Sequence, residues 1–93
     1  MGTLPIPATL FFSDFSSDLL KYSVYRNSKL IGTYNGLINT DEDGNYIGFL
    51  VSDNPQICIN DILQTSDGLE YFVVKQIGYD RYNGKAELMK TYF

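Results

Sequence analysis

The chain has 93 residues, 44% of them hydrophobic and 15% aromatic, with 11 acidic and seven basic side chains for a formal charge of −4. That length suits one domain, able to bury over ~60% of its unfolded surface without a metal or disulfide, and the aromatic content excludes a disordered chain. Lys and Arg are scattered singly, which excludes the clustered basic footprint of a nucleic-acid binder; mild acidity serves solubility, a charged partner surface or DNA mimicry.

Pro5 and Pro7 keep the start extended, so residues 1–8 read as a flexible lead into a single β-rich domain over residues 9–93. Neither a positive n-region nor a long apolar run occurs, so no signal peptide or membrane span is expected, and Ile6 stands where a myristoylation signal on Gly2 needs Ser or Thr. Phe12, Phe15 and Leu19 recur at i, i+3 and i+7, with Phe11 one turn from Phe15, which predicts a short helix. Its wet face, Ser13, Asp14, Ser16, Ser17 and Asp18, favours caps over helix interiors, so the helix needs docking onto a β core.

From Leu20 the period changes to two, with Leu20, Tyr22 and Val24 alternating with Lys21, Ser23 and Tyr25, and Asn27-Ser28 offers a tight turn into Leu30. Asn35-Gly36 in the second arm is a hairpin signal, yet a turn there leaves arms of only a few residues; a bulge in one long bent strand is the reading preferred. Asp41 to Asn45, the most acidic spot, reads as a turn before a strand from Tyr46 to Val51, which Asp53-Asn54-Pro55 breaks. Asn39, Asp41, Asp43 and Gly44 echo the opening of an EF-hand loop. The first position is nevertheless Asn, the bidentate Glu is replaced by Leu50 and the flanks are β-patterned, so neither calcium nor any other cofactor is expected.

Ile59 to Ile77 is the stretch around which the chain is organised, two β-like runs joined by Ser66, Asp67 and Gly68 into a hairpin. In the second run Leu69, Tyr71, Val73 and Ile77 face one way and Glu70, Phe72, Val74 and Gln76 the other. Leu69 to Ile77 is therefore expected at the centre of the sheet, with Tyr71, Val73 and Ile77 buried. GYDRYNG follows as a loop, and Lys85 to Phe93 as a strand closed by Tyr92 and Phe93, although its Ala, Glu, Leu, Met and Lys also suit a helix. The fold expected is mainly β, a small antiparallel β-barrel or sandwich of about five to six strands with a short N-terminal helix.

Within this chain the absence of histidine excludes Ser-His-Asp and Cys-His catalysis, and one cysteine excludes both a cysteine-cluster zinc site and an internal disulfide. Cys58, between Ile57 and Ile59, is expected as a buried or half-buried apolar residue, and cytoplasmic synthesis is the default. No glycine pattern that cradles a phosphate occurs. All acids but Glu87 fall near turns, in the weak helix or at strand ends, which leaves no shielded carboxylate pair, and no enzymatic activity is expected. Tyr79, Asp80, Arg81, Tyr82 and Asn83 carry the residue types of protein interfaces, with cover of a barrel end as the equal alternative; Asp41 and Asp43 offer a second, acidic surface.

The central segment ICINDILQTSDGLEYFVVKQI sets an apolar position, a turn with Asp, a short strand, a Gly turn and then an aromatic and Val series, carried by Ile59, Asn60, Asp61, Ile62, Leu63, Gly68, Tyr71, Val73 and Ile77. This pattern resembles that of small head-tail joining, or head-closure, proteins of tailed bacteriophages and prophages, with Asn60 where Gly is usual. The resemblance implies a structural protein without an active site, made in the cytoplasm and built into the virion. It would work as a homo-oligomeric ring with portal or tail proteins as partners. The alternative is a small cytoplasmic β-rich binding or regulatory module that engages a protein ligand through Tyr79 to Asn83. Neither reading includes direct nucleic-acid or membrane binding.

Overall fold

A computed structural model describes residues 3–93; the Gly2 lipidation reading and the first two residues of the flexible lead lie outside the described residues. Helix α1 (Ala8–Asp14) is followed by strands β1 (Leu20–Arg26), β2 (Lys29–Asp41), β3 (Gly44–Leu50), β4 (Ile62–Thr65), β5 (Tyr71–Val73), β6 (Gln76–Tyr82) and β7 (Lys85–Tyr92). They form one seven-stranded sheet in the order β5-β4-β1-β2-β3-β7-β6, with every neighbouring pair antiparallel. The mainly β architecture with a short N-terminal helix is as expected. Asn27 and Ser28 close the β1–β2 hairpin with φ of 53° and 65°. Asn83 and Gly84 do the same for β6–β7 at 52° and 76°. Positive φ at both central residues suits the right-handed twist of the flanking strands.

No ladder closes the sheet, but its two edge strands are consecutive in the chain, and this curls it into an open barrel. Val74 N–H donates to Asp61 O at 3.0 Å and Asn60 N–H to Val74 O at 2.7 Å, both toward β4. One residue on, Lys75 N–H donates to Tyr92 O at 2.7 Å, toward β7. The inner face then buries Tyr22, Val24, Ile47, Phe49, Ile57, Leu63, Val74 and Met89 together. Outside, α1 lays Ala8 and Phe12 on Leu37 and Leu88. Pro7, at the N-cap, supplies no side-chain bond, and Glu87 Oε1 of β7 accepts Ala8 N–H at 2.9 Å instead. The extended lead lies along β6, where Thr3 bridges Arg81 and Leu4 N–H donates to Arg81 O at 2.8 Å.

The hairpin over Ile59 to Ile77 forms, as β4–β5, but it lies at an edge and not at the centre of the sheet. Leu69 and Tyr71 are 82% and 69% exposed and Val73 is 40% exposed, whereas Val74 is fully buried and Ile77 half-buried. The turnover at Val74 and Lys75 breaks the alternation that had placed Tyr71, Val73 and Ile77 on one buried face. GYDRYNG is mostly strand, because Gly78 and Asp80 pair with Lys90 and Leu88 and only Asn83-Gly84 remains as turn. Cys58 is exposed, since the stretch from Asn54 to Asn60 is a loop with positive φ at both ends and no alternation to bury a thiol. The helix stops at Asp14, which leaves Phe15 exposed beside a short 3-10 turn.

β2 runs unbroken through Asn35-Gly36, as the long-strand reading has it, but the bulge lies elsewhere, opposite Val24 and Tyr25. Gly36 is required for space: an added Cβ would lie 2.8–2.9 Å from Ile47, Phe49 and Tyr22, all in the inner core. Gly36→Ala should therefore cost about 1–3 kcal/mol by overpacking, measured as a lower denaturation midpoint. Val74→Asp should unfold the domain, since an unpaired buried charge costs several of the roughly 5–15 kcal/mol available, while Val73→Asp should melt cooperatively. Circular dichroism melts of the two Asp variants check the assignment of inner and outer faces, and equal behaviour would overturn it.

Candidate functional site

The β2–β3 hairpin tip and the middle of β6 project to the same outer surface, because β7 lies between β3 and β6. Lys90 of β7 stands at its centre. Its Nζ reaches Asp41 Oδ2 at 2.7 Å and Asp80 Oδ2 at 2.9 Å, and sits 4.9 Å from the centre of the Tyr46 ring. Tyr92 Oη donates to Asp41 Oδ2 at 2.7 Å, and Asp43 N–H donates to Asp41 Oδ1 at 2.8 Å. Two of the candidate residues, Asp41 and Asp80, are thus brought together, though by a shared cation and not as an acid-base pair. Beside them a concavity of about 290 Å³ is lined by Glu42, Asp43, Gln76 and Tyr79 as well as this cluster.

The hydrogen bond from Lys90 holds the Asp41 carboxyl down to about 2, with Tyr92 and the Asp43 backbone helping against desolvation. Burial pushes Tyr92 up to about 12, reinforced by its bond to Asp41. Burial opposes the charge on Lys90, but the two aspartates outweigh it and hold the ammonium above its ordinary value. Asp41 and Lys90 are therefore each committed to the other in their ionised forms. This is a clamp that fixes the hairpin tip against β7.

Of the other candidates, Asp43 and Tyr79 line the same concavity, whereas Tyr82 is half-buried on β6 and Arg81 is exposed, its Nη1 donating to Gly84 O at 3.4 Å. Asp43 is exposed at the tip. Among the described residues no three Cys, Asp or Glu side chains converge as metal ligands, and Asn39 Oδ1 is taken by Thr40 N–H at 2.8 Å.

Two features were not legible in the residue pattern. Asp61 is 2% exposed and takes a two-pronged bond from Arg26, Nε to Oδ1 and Nη2 to Oδ2, both at 2.8 Å. Its Oδ2 also accepts Cys58 N–H at 2.8 Å, and these bonds hold its carboxyl below the usual range. The partners lie 35 positions apart, with no motif to announce them. The second is an apolar outer surface across β1, β4 and β5, where Tyr25, Ile62 and Tyr71 line a shallow concavity of about 420 Å³. Ser28 and Gln64 complete its lining.

Because the Asp41 carboxyl ionises more readily in the folded chain than at its ordinary 3.8, it stabilises the fold above that pH, and the contribution is lost as pH falls toward about 2. The melting temperature should drop between those two values, and Asp41→Asn should flatten part of that drop while lowering stability at neutral pH. A variant with the same acid limb as the parent in pH-dependent melts would remove the clamp from the account.

Compared with known proteins, the chain matches no family model, no curated protein and no solved structure.

Proposed function

We propose that the chain is a structural subunit of a phage or prophage particle, a head-tail connector that acts by association with copies of itself and with portal or tail proteins. The observation that carries this reading is where the side chains are spent: the buried and part-buried charges Asp41, Asp61, Asp80 and Lys90 are locked in clamps, while Tyr71, Leu69, Leu30 and Ile62 remain exposed on the surface. Such a distribution suits contact and not turnover. The resemblance in Ile59 to Ile77 adds the particle context.

In a ring of identical subunits each contact joins two unlike surfaces. The two long hairpins supply unlike tips: β2–β3 exposes Glu42 and Asp43, and β6–β7 exposes Arg81 and Lys85. Opposite charge at these tips favours head-to-tail register, and templating by a neighbouring ring makes weak contacts effective together. Asp80, being buried, is not part of this contact. The open edge of β5 favours a second reading, a small protein-binding module, which would bind its ligand without forming rings.

Mixing the chain with the portal or tail protein encoded beside it, followed by mass measurement in light scattering, should give a discrete ring. Arg81→Glu with Lys85→Glu should abolish that ring and leave the melting curve unchanged. No complex with any particle protein would favour the binding module, and a ring that survives the double reversal would remove the β6–β7 tip from the contact.

A further inference from the structure

The outer face of the sheet is treated differently in its two halves. Over β2 and β7, α1 covers Leu37 and Leu88 with Ala8 and Phe12. Over β1, β4 and β5 a second apolar row stays open. Cross-strand pairing sets Leu30 beside Tyr25, Tyr25 beside Ile62 and Ile62 beside Val73, so four strands contribute one side chain each to a single row. Directly opposed residues share a face of the sheet, and here it is the outside, because the chain neighbours Val24, Leu63 and Val74 are in the core. Leu30 is 54% exposed, Val73 40% and Ile62 39%. The next row, Thr33, Ser23, Gln64 and Tyr71, is uncharged and ends on an exposed tyrosine. No Asp or Glu falls in either row. The first charge on this face is the exposed Lys21, one row further, and exposed Lys29 and Lys75 flank the ends of the apolar row in the chain.

An uncharged row with cations at its margin suits a short apolar surface bearing acids, and the chain itself holds one. α1 exposes Leu10, and its C-cap residue Phe15 is exposed as well, with its ring centre 4.9 Å from that of Phe11. Asp14 and Asp18 stand exposed among them, and no Lys or Arg precedes Lys21 in the sequence. The seven residues of α1 make a helix roughly 10 Å long, and a row across four strands is roughly 14 Å wide, so the helix lies within the row. Resting on the reading that copies of this chain associate, we infer that α1 of one copy docks Leu10 and Phe15 on the row from Leu30 to Val73 of the next, with Asp14 and Asp18 facing the lysines. A copy does not satisfy its own row, because its α1 is held on the other half of the sheet by Ala8, Phe12 and the Glu87 cap. Two rows face to face do not fit either, since the lysines of both copies would meet. A contact this small is weak between two free copies and becomes effective where a template holds many.

Site-specific cross-linking of the full chain tests this. In a Cys58→Ser background, which removes the native thiol, Leu10→Cys is placed in one chain and Ile62→Cys in a second, isotope-labelled chain. The two are mixed at millimolar concentration with a short bismaleimide. The mixture should yield labelled–unlabelled dimer about tenfold above the dimer from either variant alone, and a chain carrying both cysteines should give a ladder beyond the dimer, because a head-to-tail contact does not close on two copies. Asp14→Lys with Asp18→Lys should cut the yield about fivefold, and Lys21→Glu with Lys29→Glu in the other chain should restore it. All the substituted side chains are exposed, so the melting curves should match the parent. The assignment is overturned if the mixture does not cross-link, if the charge reversals leave the yield unchanged, or if Ile62→Cys alone cross-links as well as the mixture, which would give the row to its own counterpart in a second copy. A ring with particle proteins in which Leu10→Cys and Ile62→Cys stay unlinked removes this contact and leaves the connector reading standing. Cross-linked chains that join no particle protein leave the contact and remove that reading.

Discussion

Two adjacent amides that bond in opposite directions, Val74 toward β4 and Lys75 toward β7, determine the shape of everything around them. Laid flat, a sheet in this order would hold β4 and β7 apart across three intervening strands, and one short helix could not keep water from either face. The step between the two residues brings both ends of the sheet to one point of the chain. Leu63 of β4 and Met89 of β7 then share an inner cluster with Phe49 and Tyr22. The inner face is covered by the sheet itself, and α1 is left to cover only part of the outside.

The curl also decides where polar groups can go. Thr91, on the inner face and fully buried, satisfies its hydroxyl on Ile47 O at 2.8 Å, within the ladder it belongs to. Asp61 lies where the loop from Asn54 to Asn60 returns to the sheet, and Arg26, which also donates to Gln56 O at 3.2 Å, ties that loop to the β1–β2 hairpin. Buried carboxylates of this kind are tolerated only with complete partners. The two clamps therefore act at the places where the chain leaves regular pairing: a long loop on one side and the projecting hairpin tip on the other.

Much of this was legible. Period-two alternation located β1 and β7, the turn and breaker on either side located β3, and the Asn27-Ser28, Asp41 to Asn45 and Ser66 to Gly68 turns were visible because their residues suit tight turns. What was hidden is long-range. Tyr71 and Val73 look like core residues because alternation and β propensity do not distinguish a central strand from an edge; that distinction depends on which strands flank it. Asp80 and Arg81 look like loop residues because a charged pair beside Tyr suggests solvent, and only Lys90 on the neighbouring strand makes Asp80 acceptable in a sheet. Asp41 was singled out for the exposed charge of its turn, whereas its environment is set by Lys90 and Tyr92, 49 and 51 positions away.

The cap on α1 bears on the order of folding. Ala8 N–H rests on Glu87, 79 positions later, and Phe12 packs on Leu88, so the helix has nowhere to dock until β7 has joined β3. On a ribosome this segment is made before every strand it docks on and is settled after them, and Phe11, Phe12 and Phe15 wait in solvent while the strands emerge. Contacts of such sequence separation slow folding and leave apolar surface open to other chains. The serines and aspartates interleaved with these phenylalanines weaken the helix, but they also keep that waiting segment soluble.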